Sequence, residues 1–357
     1  MPQLLRDCVA KNDERLSAEL GPRLLQLADD MANDAEIPLP SKFPEQAAKS
    51  PTSKHWESLL VGKATRGRTR RGSLWSIEGT YALVVAPDSG GDSSRKEESP
   101  QSHHDQLKRF MMLCLWANKA DDSNDKVKST MNVDGNSLVF DDNLVLMDHS
   151  DQVISYLEQK ACECGDARRL GVEYISDNIG TELLLDLAMT DHLLSHNWCG
   201  KVTFNVKAEP LYVSDAMPAD VYEHISEMQR ATRTSEAQAL GKRLAEYVSK
   251  GQIVILPDTY WNNYTYYWEM LIELQTRLAR EAALVIFKGD LNYRRLLSDR
   301  LWPPSTPVEE VVPYFPTAFV AFRILKSIPT MGIPASIVGK LDKEDPKWRL
   351  NGEHGTI

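Results

Sequence analysis

Val172-Glu173-Tyr174-Ile175-Ser176-Asp177-Asn178-Ile179-Gly180-Thr181-Glu182 decides how the fold of this chain reads. It reads as a short strand that runs into Asp177 and Asn178, turns at Gly180, and enters a helix with Glu182 near its start. A carboxylate and an amide oxygen on a strand tip are hard donors, suited to Mg²⁺ or Mn²⁺ better than to zinc. The helix N-terminus beside them favours an anion such as phosphate. On these residues alone, a helix cap with an acid in the first turn is the plainer reading.

Toward the C-terminus the pattern repeats. Short β-branched runs at 171–175, 201–206, 252–256, 283–287 and 318–322 alternate with helical patterns at 180–195, 217–230, 236–250 and 266–281. That alternation predicts an α/β fold, a Rossmann-like parallel sheet sandwiched by helices (α/β/α). Ligands of such sheets sit beyond the carboxyl ends of the strands. The first expected strand delivers Asp177 and Asn178 there, and the run after the second ends in Asp215. The third leads to Asp258, the fourth to Lys288-Gly289-Asp290-Leu291-Asn292-Tyr293-Arg294, and the last to Arg323-Ile324-Leu325-Lys326. Each residue taken singly could be a cap, a turn residue or a solvated charge. Jointly, acids from early strands and cations from later ones suit one divalent metal and one phosphate, with Lys288 and Lys326 offsetting the anion.

Toward the N-terminus, residues 1–165 read as a mainly helical lobe, with an apolar helix at 107–116 and another at 151–164. A Ser-, Gly- and charge-rich stretch, about 87–105, is expected to be a mobile loop. Glu78 is the one charge in an apolar run at 74–85 and is expected to pair with an Arg or face a pocket. The α/β domain is expected over 166–345 and a tail over 346–357.

Composition narrows the class. The 357 residues are 42% hydrophobic and 26% charged, ordinary for a globular protein. The net charge of −10 argues against nucleic acid as a partner. The basic run 63–71 reads as a solvated loop. Five cysteines, odd in number and irregular in spacing, fit a reducing compartment. No run has signal-peptide or membrane-span character, so a cytoplasmic protein is expected, with the nucleus also open and no membrane partner. No pattern fixes an oligomeric state.

Asp177-Asn178-Ile179-Gly180-Thr181-Glu182 resembles the Asp-Asn-x-Gly-x-Glu motif of the metal-dependent damage-control phosphatases. Lys288-Gly289-Asp290-Leu291-Asn292-Tyr293-Arg294 matches that family's Lys-Gly-Asp-Leu-Asn-Tyr-Arg motif, and Val213-Ser214-Asp215 matches a third. Leu115-Trp116-Ala117-Asn118-Lys119-Ala120-Asp121 is similar to a segment of the family's N-terminal lobe. The subgroup suggested is the sugar-phosphate phosphatase type, whose human member is also described as an acidic-residue carboxyl methyltransferase. The resemblance implies Asp177, Asn178 and Asp215 as metal ligands, Asp290, Leu291, Asn292, Tyr293 and Arg294 on a substrate-contacting loop, and Lys326 as a further substrate contact. It implies Glu182 and Asp258 as nearby acids.

Two departures bear on the substrate. Ile324 stands where the subgroup's Arg-Thr-x-Lys motif has a hydroxyl, and the N-terminal lobe is shorter. The expected function is a metal-dependent phosphomonoester hydrolase. Its substrate would be a small phosphorylated metabolite, a fructose-1-phosphate or fructose-6-phosphate type sugar phosphate or a relative. Its cofactor would be Mn²⁺ or Mg²⁺, with Co²⁺ or Ni²⁺ also open. The alternatives are an S-adenosylmethionine-dependent carboxyl methyltransferase and a non-catalytic protein that binds metal and a phosphorylated ligand. Water could be activated by the metal, by Glu182 or by Asp258. His192 and His196, four apart on a helix, could clip a metal but lack an evident third ligand.

Overall fold

A computed structural model of the chain describes residues 6, 9–10, 20–32, 100–120, 132–134, 137–139, 142–211 and 214–357. Glu78, the basic run 63–71 and the stretch 87–99 lie outside the described residues. The chain divides into two compact units, Met1–Arg71 with Glu209–Val213, and Gly72–Ala208 with Ser214–Ile357. In the first unit, helix α1 (Leu20–Ala32) buries Leu24 and Ala28, four apart on one face.

The second unit begins its described part with α2 (Pro100–Ala120), a paired β1 (Asn132–Asp134) and β2 (Ser137–Val139), β3 (Val145–Met147) and α3 (Ser150–Cys164). It continues through β4 (Gly171–Ile175), α4 (Thr181–Ser195), β5 (Lys201–Lys207), α5 (Pro218–Met228), α6 (Ser235–Ser249) and β6 (Ile253–Asp258). Then come α7 (Ile272–Glu281), β7 (Leu284–Lys288), α8 (Gly289–Leu296), α9 (Val308–Val311), β8 (Phe319–Ile324), α10 (Ala335–Glu344) and β9 (Gly355–Thr356). The five expected strands are all present, as β4 to β8, and the fold is α/β and Rossmann-like.

The sheet has the order β3-β9-β8-β7-β4-β5-β6. From β8 to β6 every pair is parallel, and β9 runs antiparallel to β8. β4 and β7 are central and buried at every residue, which is why both read as nearly unbroken apolar runs. Their side chains alternate between two cores. Leu284 and Ile286 join the core that holds α2, α4 and α6, whereas Val285 and Phe287 join the core that holds α7 and α8. Glu173 is the polar exception in β4. Arg277 grips its carboxylate at 2.8 and 3.0 Å, and Asn205 donates to it at 2.8 Å. Helix α4 is buried on nearly all sides between sheet and α2, so it is apolar around most of its circumference.

The chain leaves β4 toward β5 on one side, while β7 returns on the other. The crevice at their carboxyl ends is therefore the topological switch point. Three expectations are corrected here. Residues 289–296 form a helix, not a loop. The expected loop to 105 gives way to helix at Pro100, which suits the first helical position and is followed by the pairing of His104 with Glu158 at 2.7 Å. The expected tail is built into the fold: Trp348 and Ile357 are buried, and β9 joins the sheet. Those few apolar anchors lie among charges, so composition hides them.

Candidate active site

Asp177 and Asn178 leave the tip of β4 and pair with the segment that carries Asp215. The pairing is an antiparallel bridge between Asn178 and Asp215. Ile179 N–H donates to the Ser214 carbonyl at 2.7 Å, and Ala216 N–H donates to the Asp177 carbonyl at 2.8 Å. Two strand-end segments distant in sequence are thereby zipped together. The Asn178 amide is held from three sides: it donates to Asp177 Oδ2 at 2.9 Å and Glu182 Oε2 at 3.1 Å, and accepts from Ser214 Oγ at 2.6 Å. Gly180 makes the turn into α4 at φ 79°, ψ −136°, a conformation open to glycine.

From the other side of the switch point, Gly289 abuts the same carboxylate. Its φ is +83°, and a Cβ placed there would lie 1.9 Å from Asp177 Oδ2. The glycine of the sequence motif is thus required twice, by its backbone angle and by this close approach. Gly289 opens α8, so the first N–H groups of that helix begin beside Asp177.

The charges are laid out differently from the expected division. Lys207, at the end of β5, stands among the acids: its ammonium is 3.5 Å from Asp215 Oδ2 and donates to the Trp261 carbonyl at 2.6 Å. Sequence reasoning passed over it because a lysine closing a strand resembles a solvated end. Burial pushes the Asp177 carboxyl well above the usual range, reinforced by Glu182 and Asp215 and opposed by Lys207 and Lys326. Burial likewise lowers Lys207, against the pull of Asp215.

Lys288 does not face this crevice with its ammonium. The side chain is fully buried, donating to the Cys114 carbonyl at 2.8 Å and pairing with Asp186 at 2.8 Å, with Glu182 3.7 Å away. Burial disfavours its charge, but Asp186 and Glu182 outweigh that and hold the ammonium above its ordinary value. Asp258 caps a turn by accepting from Tyr260 N–H at 2.8 Å. Glu182, completely buried, accepts from the Asn178 amide alongside Asp177.

The remaining motif residues divide by role. Asn292 is internal scaffolding: it accepts from Tyr267 Oη at 2.7 Å and donates to the Lys288 carbonyl at 2.9 Å. Tyr293 is buried beneath the Arg323 guanidinium, 4.1 Å from its ring centroid, and accepts from Met331 N–H. Leu291 is half-buried. Arg294 is half-exposed and forms a two-pronged pair with Asp299 at 2.6 and 2.8 Å. Asp290 takes Arg323 Nε at 2.7 Å and Ser327 Oγ at 3.0 Å, with Lys326 N–H at 3.4 Å. Ile324 faces the core, fully buried beside Leu115 and Gly355, so its bulk does not shape the crevice.

The donor set fits a hard divalent cation: two carboxylates and an amide oxygen, with Gly289 bare of a side chain against one of them. Asn178 Oδ1 accepts one hydrogen bond and keeps a second lone pair. Among the described residues no three His, Cys, Asp or Glu side chains are grouped to hold a metal. His192 and His196, with ring centroids 4.2 Å apart, lie toward the far end of α4 and pack with His103 and Phe110.

A mostly parallel sheet with oxygen donors gathered at its switch point, beside a helix N-terminus, defines an α/β protein with its candidate site at the strand ends. The chain belongs to the damage-control phosphatase ARMT1-like domain family, whose model matches residues 89–341. It is 26% identical over 362 residues to the damage-control phosphatase ARMT1 of Xenopus laevis, covering 97% of this chain and 81% of that protein. It is 29% identical over 259 residues to the human protein of that name, covering 70% of this chain and 58% of the relative. The Danio rerio relative is 27% identical, with 70% of this chain and 57% of that protein covered. The family is one of phosphatases, hence of enzymes. Among the described residues no helix is long and apolar enough to cross a membrane.

Proposed function

We propose that the chain is a metal-dependent phosphomonoester hydrolase acting on a small phosphorylated metabolite of the fructose-1-phosphate or fructose-6-phosphate type. The observation that carries this reading is the apposition of Asp177, from β4, with Gly289, from β7, beside the bridged Asn178 and Asp215. Asp177, Asn178 and Asp215 would hold the Mn²⁺ or Mg²⁺, which when bound supplies Lewis-acid polarisation of a phosphate oxygen. The chain's own groups do the rest. N–H groups opening α8 receive the phosphate, and Lys326, whose charge Asp177 already feels, offsets its charge. Glu182 keeps the Asn178 amide oriented, while Asp258 is committed to its turn. Lys207 balances the acids of the site without needing to touch substrate. Asp290, anchored by Arg323, presents a carboxylate to a sugar hydroxyl, and Arg294 lies one helical turn further along.

Phosphate release from a panel of sugar phosphates, nucleotides and phosphorylated cofactors, with Mn²⁺, Mg²⁺ or chelator, tests the reading. The expected result is metal-dependent release with a preference for ketose phosphates. Release from none of them, by folded and metal-loaded protein, would favour a binding protein instead.

A further inference from the structure

Asp186 belongs to none of the motifs that mark the site. It lies one helical turn beyond Glu182 on α4, so the two carboxylates share a face, and they are 2% and 0% exposed. One ammonium serves both. Lys288 Nζ is 2.8 Å from Asp186 Oδ1 but 3.7 Å from Glu182 Oε1. Its remaining contacts are the Cys114 carbonyl at 2.8 Å and the Phe322 ring, 5.3 Å to the centroid. The residue that follows Lys288 is Gly289, whose Cα abuts Asp177.

A cation set between two buried carboxylates decides which of them can serve other donors. With the ammonium drawn to Asp186, Glu182 Oε2 is engaged by the Asn178 amide at 3.1 Å. Were Asp186 neutral, the nearest anion for Lys288 would be Glu182, and closing that pair would pull Glu182 from Asn178. The same shift would move the end of β7 and the Gly289 backbone with it.

We propose that Asp186 is a positioning residue of the active site: it holds Lys288 away from Glu182, so that Glu182 orients Asn178 and Gly289 stays seated against Asp177. Its catalytic consequence rests on the phosphatase reading, whereas its geometric consequence does not.

Asp186→Asn keeps the volume and removes one charge. Crystal structures of the wild type and this variant should show Lys288 closing on Glu182 and the Asn178–Glu182 hydrogen bond lost. Turnover should fall about 10- to 100-fold, the range for residues that orient metal ligands, with KM changed by no more than about threefold. A purely structural role would lower the melting temperature without that split. If Asp186→Asn does not fold, Asp186→Ser asks the same question, because it too leaves Glu182 as the carboxylate nearest the Lys288 ammonium. Either folded variant with Glu182 still on Asn178 and turnover within about twofold overturns the proposal. Wild-type protein that releases no phosphate would overturn the phosphatase reading instead, leaving the Asn178–Glu182 separation to decide the positioning role.

Discussion

Gly289 approaches Asp177 so closely that a Cβ on the glycine would lie 1.9 Å from the carboxylate oxygen. Two strands on opposite sides of the switch point thus meet at one carboxyl group. Gly289→Ala must displace Asp177 and also hold a side chain at φ +83°. The strained backbone should cost about 1–3 kcal/mol in chemical denaturation. Mn²⁺ affinity by calorimetry should fall at least about 10-fold. Unchanged affinity would show that this contact does not set the site.

Lys207 is the cation the acids of the site lean on. Lys207→Met leaves Asp215 buried without it, and breaking such a pair costs about 3–5 kcal/mol. Added Mn²⁺ should recover part of that loss, because a ligand that binds only the folded state stabilises it. The melting shift produced by Mn²⁺ should therefore be larger in the variant than in the wild type. An equal shift would detach Lys207 from the acids proposed to hold the metal.

The strands and their tips were open to sequence reasoning because β4 and β7 are buried on both faces and so read as apolar runs that stop abruptly at Asp177 and Lys288. Asp215 was legible as the acid that ends the run after the next strand. Lys207 and Asp186 were not, since one ends a strand and the other rides a helix, and only tertiary contacts with Asp215 and Lys288 give them meaning. Lys288 shows the converse. Its motif marks the site, yet the ammonium points into the core, where burial beside two acids secures its charge. The helix at 289–296 escaped notice because its polar start resembles a loop.

Ile324 illustrates a motif departure with no reach into the crevice. Ile324→Thr restores the hydroxyl but buries it among Leu115 and Gly355. We expect a loss of about 1–3 kcal/mol of stability from the buried hydroxyl. Relative kcat/KM values across sugar phosphates should stay within about twofold. A changed substrate order would place this position at the pocket.

His192 gives the fold an acid-sensitive point. Burial first, then His196 and His103, lower its pKa from 6.5 to about 3. Between those values the unfolded chain binds the proton and the folded chain does not, so this contribution is complete above pH 6.5 and shrinks as pH falls. The slope from one such group is at most about 1.4 kcal/mol per pH unit. Denaturation at a series of pH values should show that part of the slope in the wild type and its loss in His192→Gln. An identical slope in both proteins would assign the acid sensitivity elsewhere.

Asp177→Asn tests the central claim most directly. The change is nearly isosteric and relieves repulsion among Asp177, Glu182 and Asp215, so the metal-free variant should fold at least as stably as the wild type. The measurement is Mn²⁺- or Mg²⁺-dependent phosphate release by the two purified proteins under the same conditions. The account predicts turnover in the wild type and a loss of at least about 1,000-fold in the folded variant. Turnover by Asp177→Asn at the wild-type rate would contradict it.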